Sequence, residues 1–326
     1  MRRLFAPGRG AARTRSLIGL AAGVVVLVGI HGVLGRYEVA VFTSVLLYVV
    51  LASAWNLIGG VAGQFSLASS ALVGVGSYAV VLSLRHLGVP VAVGLAFAVV
   101  AGALVAAVLG LILFRLRGFY FTIGTLGAAL AAMTWMTTWQ LTGGTSGVSA
   151  PLALIPDSRT LYLWAVAAAA ITIATAILVI DSGLGLRLKA VRDGEDIADG
   201  LGISPFRTKM VAMLLSGALT GLGGGLFALQ KASVEPFSAF GLDWSITIIV
   251  MAIVGGLGTV WGPVLGAVVI YYGVTVQLQS LPAVSALLSG VILVAVIRFL
   301  PDGLLGSATR LVRWKATRRS AESRRA

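Results

Sequence analysis

Glu195, Asp196 and Asp199 stand beside Arg187, Lys189, Arg192, Arg207 and Lys209 in one stretch, Asp181 to Lys209, the only long hydrophilic segment between the first and last apolar runs of the chain. Acidic and basic side chains at this spacing on a short helix would make a mixed-charge surface suited to docking a partner rather than to transforming a substrate. The alternative is a solvated loop helix whose positive charges only fix the orientation of the chain in a membrane. Other chemistry is thinly provided for. There is no cysteine, which excludes disulfides, thiolate catalysis and cysteine-ligated metals. His31 and His86 lie far apart without acidic company and read as interfacial residues. A phosphate-cradling G-x-x-x-x-G-K-[ST] loop is missing, and the glycine-rich run 143–147, GGTSG, lacks its lysine and reads as a turn. No catalytic residue, metal site or cofactor is therefore expected in this chain, and any use of ATP would belong to another subunit.

The elements that must position the charged stretch are apolar helices. Of 326 residues, 58% are hydrophobic and 11% charged, and a soluble globule of that composition would expose far more apolar surface than such proteins tolerate. Runs of about 20 apolar residues, enough to cross a hydrocarbon core as helix, recur from Leu17 to Leu300. The apolarity is continuous rather than alternating, which excludes membrane strands. The expected fold is an all-α, polytopic membrane helix bundle with about ten transmembrane helices. The spans run from about Leu17 to Gly35, Val39 to Ile58, Phe65 to Leu84, Val89 to Phe114, a fifth ending near Leu141, Leu161 to Ile180, Met210 to Leu229, Ile246 to Gly256, Val264 to Leu278 and Val284 to Leu300. Leu17 to Gly35 is long for the apolar part of a leader and ends without an A-x-A site, so it reads as a span.

The net charge of +13 is a matter of topology and does not imply nucleic acid. Ten crossings put the arginines before residue 16, Arg115 and Arg117, the stretch 181–209, and the basic residues after 301 on one side, which the positive-inside rule makes cytoplasmic, together with both termini. The organisation follows: a basic cytoplasmic tail over 1–16, a transmembrane unit over 17–300 carrying the loop 181–209, and a second basic tail over 301–326.

Two glycine-rich stretches, GGVAGQ after Ile58 and GGLGTVWGP after Val254, are too rich in breakers for continuous helix. They mark broken or re-entrant segments, and eight crossings with two re-entrant elements is the other count that fits. Near the first stretch, Asn56, Gln64, Ser66, Ser69 and Ser70 fall at membrane depth. Small hydroxylated residues serve close helix packing by default, and the functional alternative is a translocation path lined by weak polar groups. The acidic residues all fall at span ends or in loops, which leaves no proton relay, although coupling through backbone carbonyls would leave no such trace.

The motifs NLIGGVAGQFSL, LRGFYFTIGTL, LTGGTSGV, LRLKAVRDGEDIADGLGIS with FRTKM, VEPFSAFGLDWSITIIVMAIVGGLGTVWGPVLGA and PDGLLG occur in this order between Asn56 and Gly306. In this the chain resembles the permease subunits of bacterial ABC importers for branched-chain amino acids, specifically the M-type member of the permease pair. It departs from them where Ala68 and Ser69 stand in place of the common Gly-His and where Asp302 replaces an arginine. The resemblance implies that Glu195, Asp196, Ala198, Asp199 and Gly202 form a cytoplasmic helix that sits in a cleft of an ATPase subunit. It also implies two ATP-binding subunits, a second homologous permease and a periplasmic or lipid-anchored binding protein as partners in a bacterial plasma membrane, with leucine, isoleucine or valine as cargo. Importers of urea or short amides have similar permeases and remain a second reading. A stand-alone channel or secondary carrier is a more distant third.

Overall fold

The computed structural model describes residues 8–277, positions 287–288, 290–291 and 298, and residues 303–306. The bundle is built from α1 (Gly8–Ile30), α2 (Arg36–Asn56), α3 (Ser69–Leu87), α4 (Val91–Leu113), α5 (Phe119–Thr138), α6 (Ser158–Ile180), α7 (Gly183–Asp193), α8 (Glu195–Gly200), α9 (Pro205–Lys231), α10 (Pro236–Phe240), α11 (Leu242–Gly255) and α12 (Gly262–Ala267). Two-residue strands β1 (Val148–Ser149) and β2 (Ser233–Val234) pair antiparallel at the end of the bundle away from the charged stretch. Among the described residues, eight helices are long and apolar enough to cross a membrane, which makes this a multi-pass membrane protein.

These eight correspond to the first eight expected spans, with shifted ends: the first stops at Ile30 instead of Gly35, and the seventh starts at Pro205 instead of Met210. The third begins at Ser69 instead of Phe65. Leu57–Val61 forms a π turn on the end of α2, and Gly63, at φ +71°, turns the chain out of helix before α3 can start. The eighth is longer than expected, reaching back to Pro236 at a helix N-terminus and breaking at Gly241 between α10 and α11. The ninth element is α12 followed by a π-helical stretch, Val268–Val276. The tenth expected span, about Val284 to Leu300, and most of both basic tails lie outside the described residues.

Helix α9 is the centre of the bundle, packed against α2, α3 and α4. Its glycines explain how. A Cβ on Gly224 would overlap the carbonyl of Val73 in α3, and one on Gly76 would overlap that of Gly221. On the α4 side, Gly217 faces Ala106, Gly102 faces the carbonyl of Gly217, and Gly221 faces that of Ala98, each too closely for a methyl group. In hydrocarbon, where lipid is as apolar as leucine, such backbone contact supplies the dispersion and polar interactions that hold helices together. Ser77 adds to this seam, its hydroxyl 2.8 Å from the carbonyls of both Val73 and Gly224. By contrast α4 turns Phe97, Val100, Leu104 and Val108 outward, a lipid-facing surface.

The start of α6 is capped by a side chain. Asp157 accepts from the Thr160 hydroxyl at 2.6 Å and from the backbone N–H groups of Arg159 and Thr160, opening α6. Those bonds, the hydroxyl's foremost, hold its carboxyl below the usual carboxylate range.

Replacing Gly221 by Leu forces α9 away from α4. The expected loss is about 3 kcal/mol or more, read as a collapse of thermal stability in detergent. Gly127, whose added Cβ would meet nothing within 4 Å, is the control. Gly127→Ala is expected to be neutral or to stabilise by up to about 1 kcal/mol.

Candidate functional site

The charged stretch folds as two short helices at one end of the bundle. Ser182 caps α7, its hydroxyl accepting from the N–H of Leu184 at 3.1 Å and of Gly185 at 3.4 Å. A Cβ at Gly185 would sit 2.5 Å from the carbonyls of Val179 and Ile180, so glycine lets α7 fold back directly on the end of α6. Gly194 joins α7 to α8. Helix α8 ends in a Schellman closure: the N–H of Ile203 bonds the carbonyl of Ala198 at 3.0 Å and that of Gly202 bonds Asp199 at 2.8 Å. Gly202 itself sits at φ +79°, the left-handed position that this closure requires.

The five residues singled out in this helix divide by direction. Glu195 and Ala198 face the bundle. Ala198 is buried, and the Glu195 carboxylate takes both oxygens to the Lys209 ammonium, at 2.9 and 3.0 Å. Asp196 and Asp199 face solvent. Asp196 meets Arg117 of the α4–α5 turn at 3.0 Å, but with both side chains exposed the pair contributes only about 0.2–1 kcal/mol. Gly202 is the helix stop.

Sequence reasoning passed over what lies between them. Ile197 and Leu201, four residues apart and so on one side of a helix, are 72% and 73% exposed. Together with Asp196 and Asp199 they form an apolar and acidic outer face. The available signal was an isoleucine and a leucine at i and i+4 inside an otherwise charged loop.

Lys209 was also missed as a positioned group. It is 2% exposed, against 22% for Glu195, and its ammonium lies 5.1 Å from the centre of the Phe114 ring. A cleft of about 310 Å³ opens beside this pair, lined by Phe114, Arg115, Arg117, Asp196 and Phe206 among others.

The residues considered for a translocation path are all buried within the single chain. Each has structural work. Asn56 donates Nδ2 to the carbonyl of Thr259 and accepts from the N–H of Gly258, both at 2.8 Å. Gln64 donates to Glu195 at 3.4 Å. The Ser66 carbonyl accepts from the Trp55 indole at 2.8 Å, and its hydroxyl accepts from the N–H of Ala68. Ser70 donates its N–H to Ser245, which donates in turn to the carbonyl of Leu67. The Ser70 hydroxyl has no partner among the described residues, and Ser69 is packed beside it in the first turn of α3. The structure thus joins these side chains to the glycine break at 57–68 and its immediate surroundings. Thr122 and Thr125 of α5 complete that joint by bonding the Phe65 carbonyl and the Leu67 N–H. Among the described residues, no group of three or more His, Asp or Glu is placed to hold a metal ion.

A family model described as "Branched-chain amino acid transport system / permease component" matches residues 38–297. The high-affinity branched-chain amino acid transport system permease protein LivM of Salmonella typhimurium is 25% identical over 316 residues, covering 88% of this chain and 74% of that one, and LivM of Escherichia coli gives the same figures. The autoinducer 2 import system permease protein LsrC of an Enterobacter species is 31% identical over 206 residues, covering 60% of this chain and 58% of its own. No solved structure matches.

The Lys209→Met change leaves the Glu195 carboxylate half-buried without its counter-charge. It is expected to cost about 2 kcal/mol, less than the loss of a partner in a fully buried pair because Glu195 keeps some water. Lys209→Met combined with Glu195→Gln is expected to recover most of that loss, and thermal unfolding of the three variants in detergent measures the coupling.

Proposed function

The chain belongs to the branched-chain amino acid transport permease family, and from that premise we propose that it is the transmembrane subunit through which an ATP-binding-cassette importer moves leucine, isoleucine and valine into a bacterial cell. Its partners in this reading are two ATP-binding subunits on the cytoplasmic side, a second homologous permease, and a periplasmic or lipid-anchored binding protein that selects the solute. The lipid bilayer is the plasma membrane. The chain carries out no covalent chemistry of its own.

The observation that carries this reading is the outward face of α8. An isolated membrane bundle gains nothing from holding Ile197 and Leu201 in water at the tip of a rigid helix. Burying either against a partner would contribute about 1.5–3 kcal/mol. The anchoring of the opposite face, through Glu195 to Lys209 and through Ala198, supports a helix held firmly enough to transmit force. In this reading Asp196 and Asp199 select the register of docking, and Gly202 acts indirectly by closing the helix.

The cargo rests on the named relatives rather than on side chains. LivM proteins by name transport branched-chain amino acids, which favours that class. A relative named for autoinducer 2 import favours, as a second reading, the same machine with a different small solute.

The test is purification of the full chain from native membranes in mild detergent, with mass spectrometry of what accompanies it. ATP-binding subunits and a second permease are expected in comparable amounts. Uptake by proteoliposomes of that complex, offered leucine, isoleucine, valine, urea and autoinducer 2 with its binding protein, then names the cargo. Recovery of this chain alone, with solute movement that needs no ATP, would establish a channel or carrier instead. Ile197→Asp and Asp196→Lys are each expected to lower ATP-dependent uptake at least about tenfold, the equivalent of about 1.4 kcal/mol of lost docking, while the protein stays in the membrane.

A further inference from the structure

Arg192, in the last turn of α7, is 39% exposed and pairs through Nε with Asp193 at 3.3 Å, while the end of its guanidinium reaches toward the bundle. Its Nη1 donates to the carbonyl of Gly60 at 3.1 Å, in the π turn that ends α2. Its aliphatic stem lies so close over Gly63 that any side chain there would collide with it. The same guanidinium would be 3.4 Å from a Cβ on Gly258, in the second glycine break. One side chain therefore bonds the first break and lies near the second.

The breaks also touch each other. Asn56 bonds Gly258 and Thr259, and a Cβ on Gly60 would approach the Gly258 nitrogen to 2.6 Å. Gly63, Gly256 and Gly258 all have positive φ, so this joint is made of backbone that lacks the helical hydrogen-bond ladder. On its far side, α11 and α12 meet with Gly255 and Gly262 in backbone contact, so a movement of the second break is carried to both helices. Helices yield where the ladder is interrupted by glycine or a π turn and stay rigid elsewhere. A displacement of α7 and α8 thus reaches, besides the ends of α6 and α9 that they pack on, the spans at their most deformable point.

We propose that Arg192 is a positioning residue that carries the motion of the α7–α8 segment to the paired glycine breaks, whose rearrangement opens and closes the pathway. This rests on the importer reading above. The Glu195 bond to Gln64 runs parallel to it, as a second and weaker tie to the same break.

The experiment uses the whole complex in proteoliposomes with its binding protein, measuring ATP hydrolysis and uptake of labelled leucine in the same vesicles. Arg192→Met keeps the stem over Gly63 and removes the donor and charge. Arg192→Lys keeps a charged donor. For Arg192→Met the expected result is uptake reduced about tenfold with ATP hydrolysis within about twofold of the original, and recovery of at least about a third of the uptake in Arg192→Lys. Uptake within about twofold of the original in Arg192→Met would overturn the proposal. So would a parallel fall in uptake, hydrolysis and melting temperature, since that is what a residue merely capping the end of α2 would give. If the unsubstituted complex hydrolyses ATP but moves none of the offered solutes, or contains no ATPase, the importer reading itself fails before any variant is compared.

Discussion

In hydrocarbon a backbone N–H or C=O without a partner costs several kcal/mol, and that constraint governs how this bundle can be interrupted. Continuous helices satisfy it internally. The stretches 57–68 and 256–261 cannot, so side chains from elsewhere must serve them. Asn56, Trp55, Thr122, Thr125, Ser245 and Arg192 are placed to do so, each bonded to backbone in or beside a break. What looks along the chain like a scatter of polar residues at membrane depth is one arrangement that lets two irregular segments exist side by side inside the protein.

The glycine content divides by the same logic. In α9 glycine is there to be small: residues 217, 221 and 224 bring it to backbone contact with α3 and α4, and no unusual dihedral is needed. At 63, 202, 256 and 258 glycine is there for its left-handed backbone, ending or breaking helices. The first group makes the core stiff and the second gives the end that carries α7 and α8 its joints.

The apolar runs made most of the fold legible, because a span length is set by bilayer thickness and hardly depends on partners. Glycine density likewise located both breaks. The pairing of the breaks was not legible: Asn56 and Gly258 are about 200 residues apart in the chain, and nothing local in either announces the other. The same limit hid the Lys209–Glu195 pair, since a lysine at the start of an apolar run reads as an interfacial anchor until Phe114 and α8 are seen to cover it. The start of α3 was misplaced by four residues because 65–68, Phe-Ser-Leu-Ala, is helix-compatible in composition and leaves the helix only through the turn at Gly63. For the candidate site, the charged stretch stood out at once, but the outward direction of Ile197 and Leu201 needed the fold.

Among the buried described residues Lys209 alone carries a charge, and it sits beside α8 rather than mid-bundle. In the importer reading the energy enters mechanically, from the ATP-binding partners. Mechanical input requires a stiff handle, a compliant joint and a tie between them. Helix α8, pinned by Glu195 and closed by Gly202, has the properties of the handle. The glycine breaks have those of the joint. The Arg192 guanidinium, which hydrogen-bonds a carbonyl in one break and lies near the other, has those of the tie. A lysine there would keep the charge and one donor group, but the planar fork of arginine holds several donors in fixed directions, so one side chain bonds the Asp193 carboxylate through Nε and the Gly60 carbonyl through Nη1 at once.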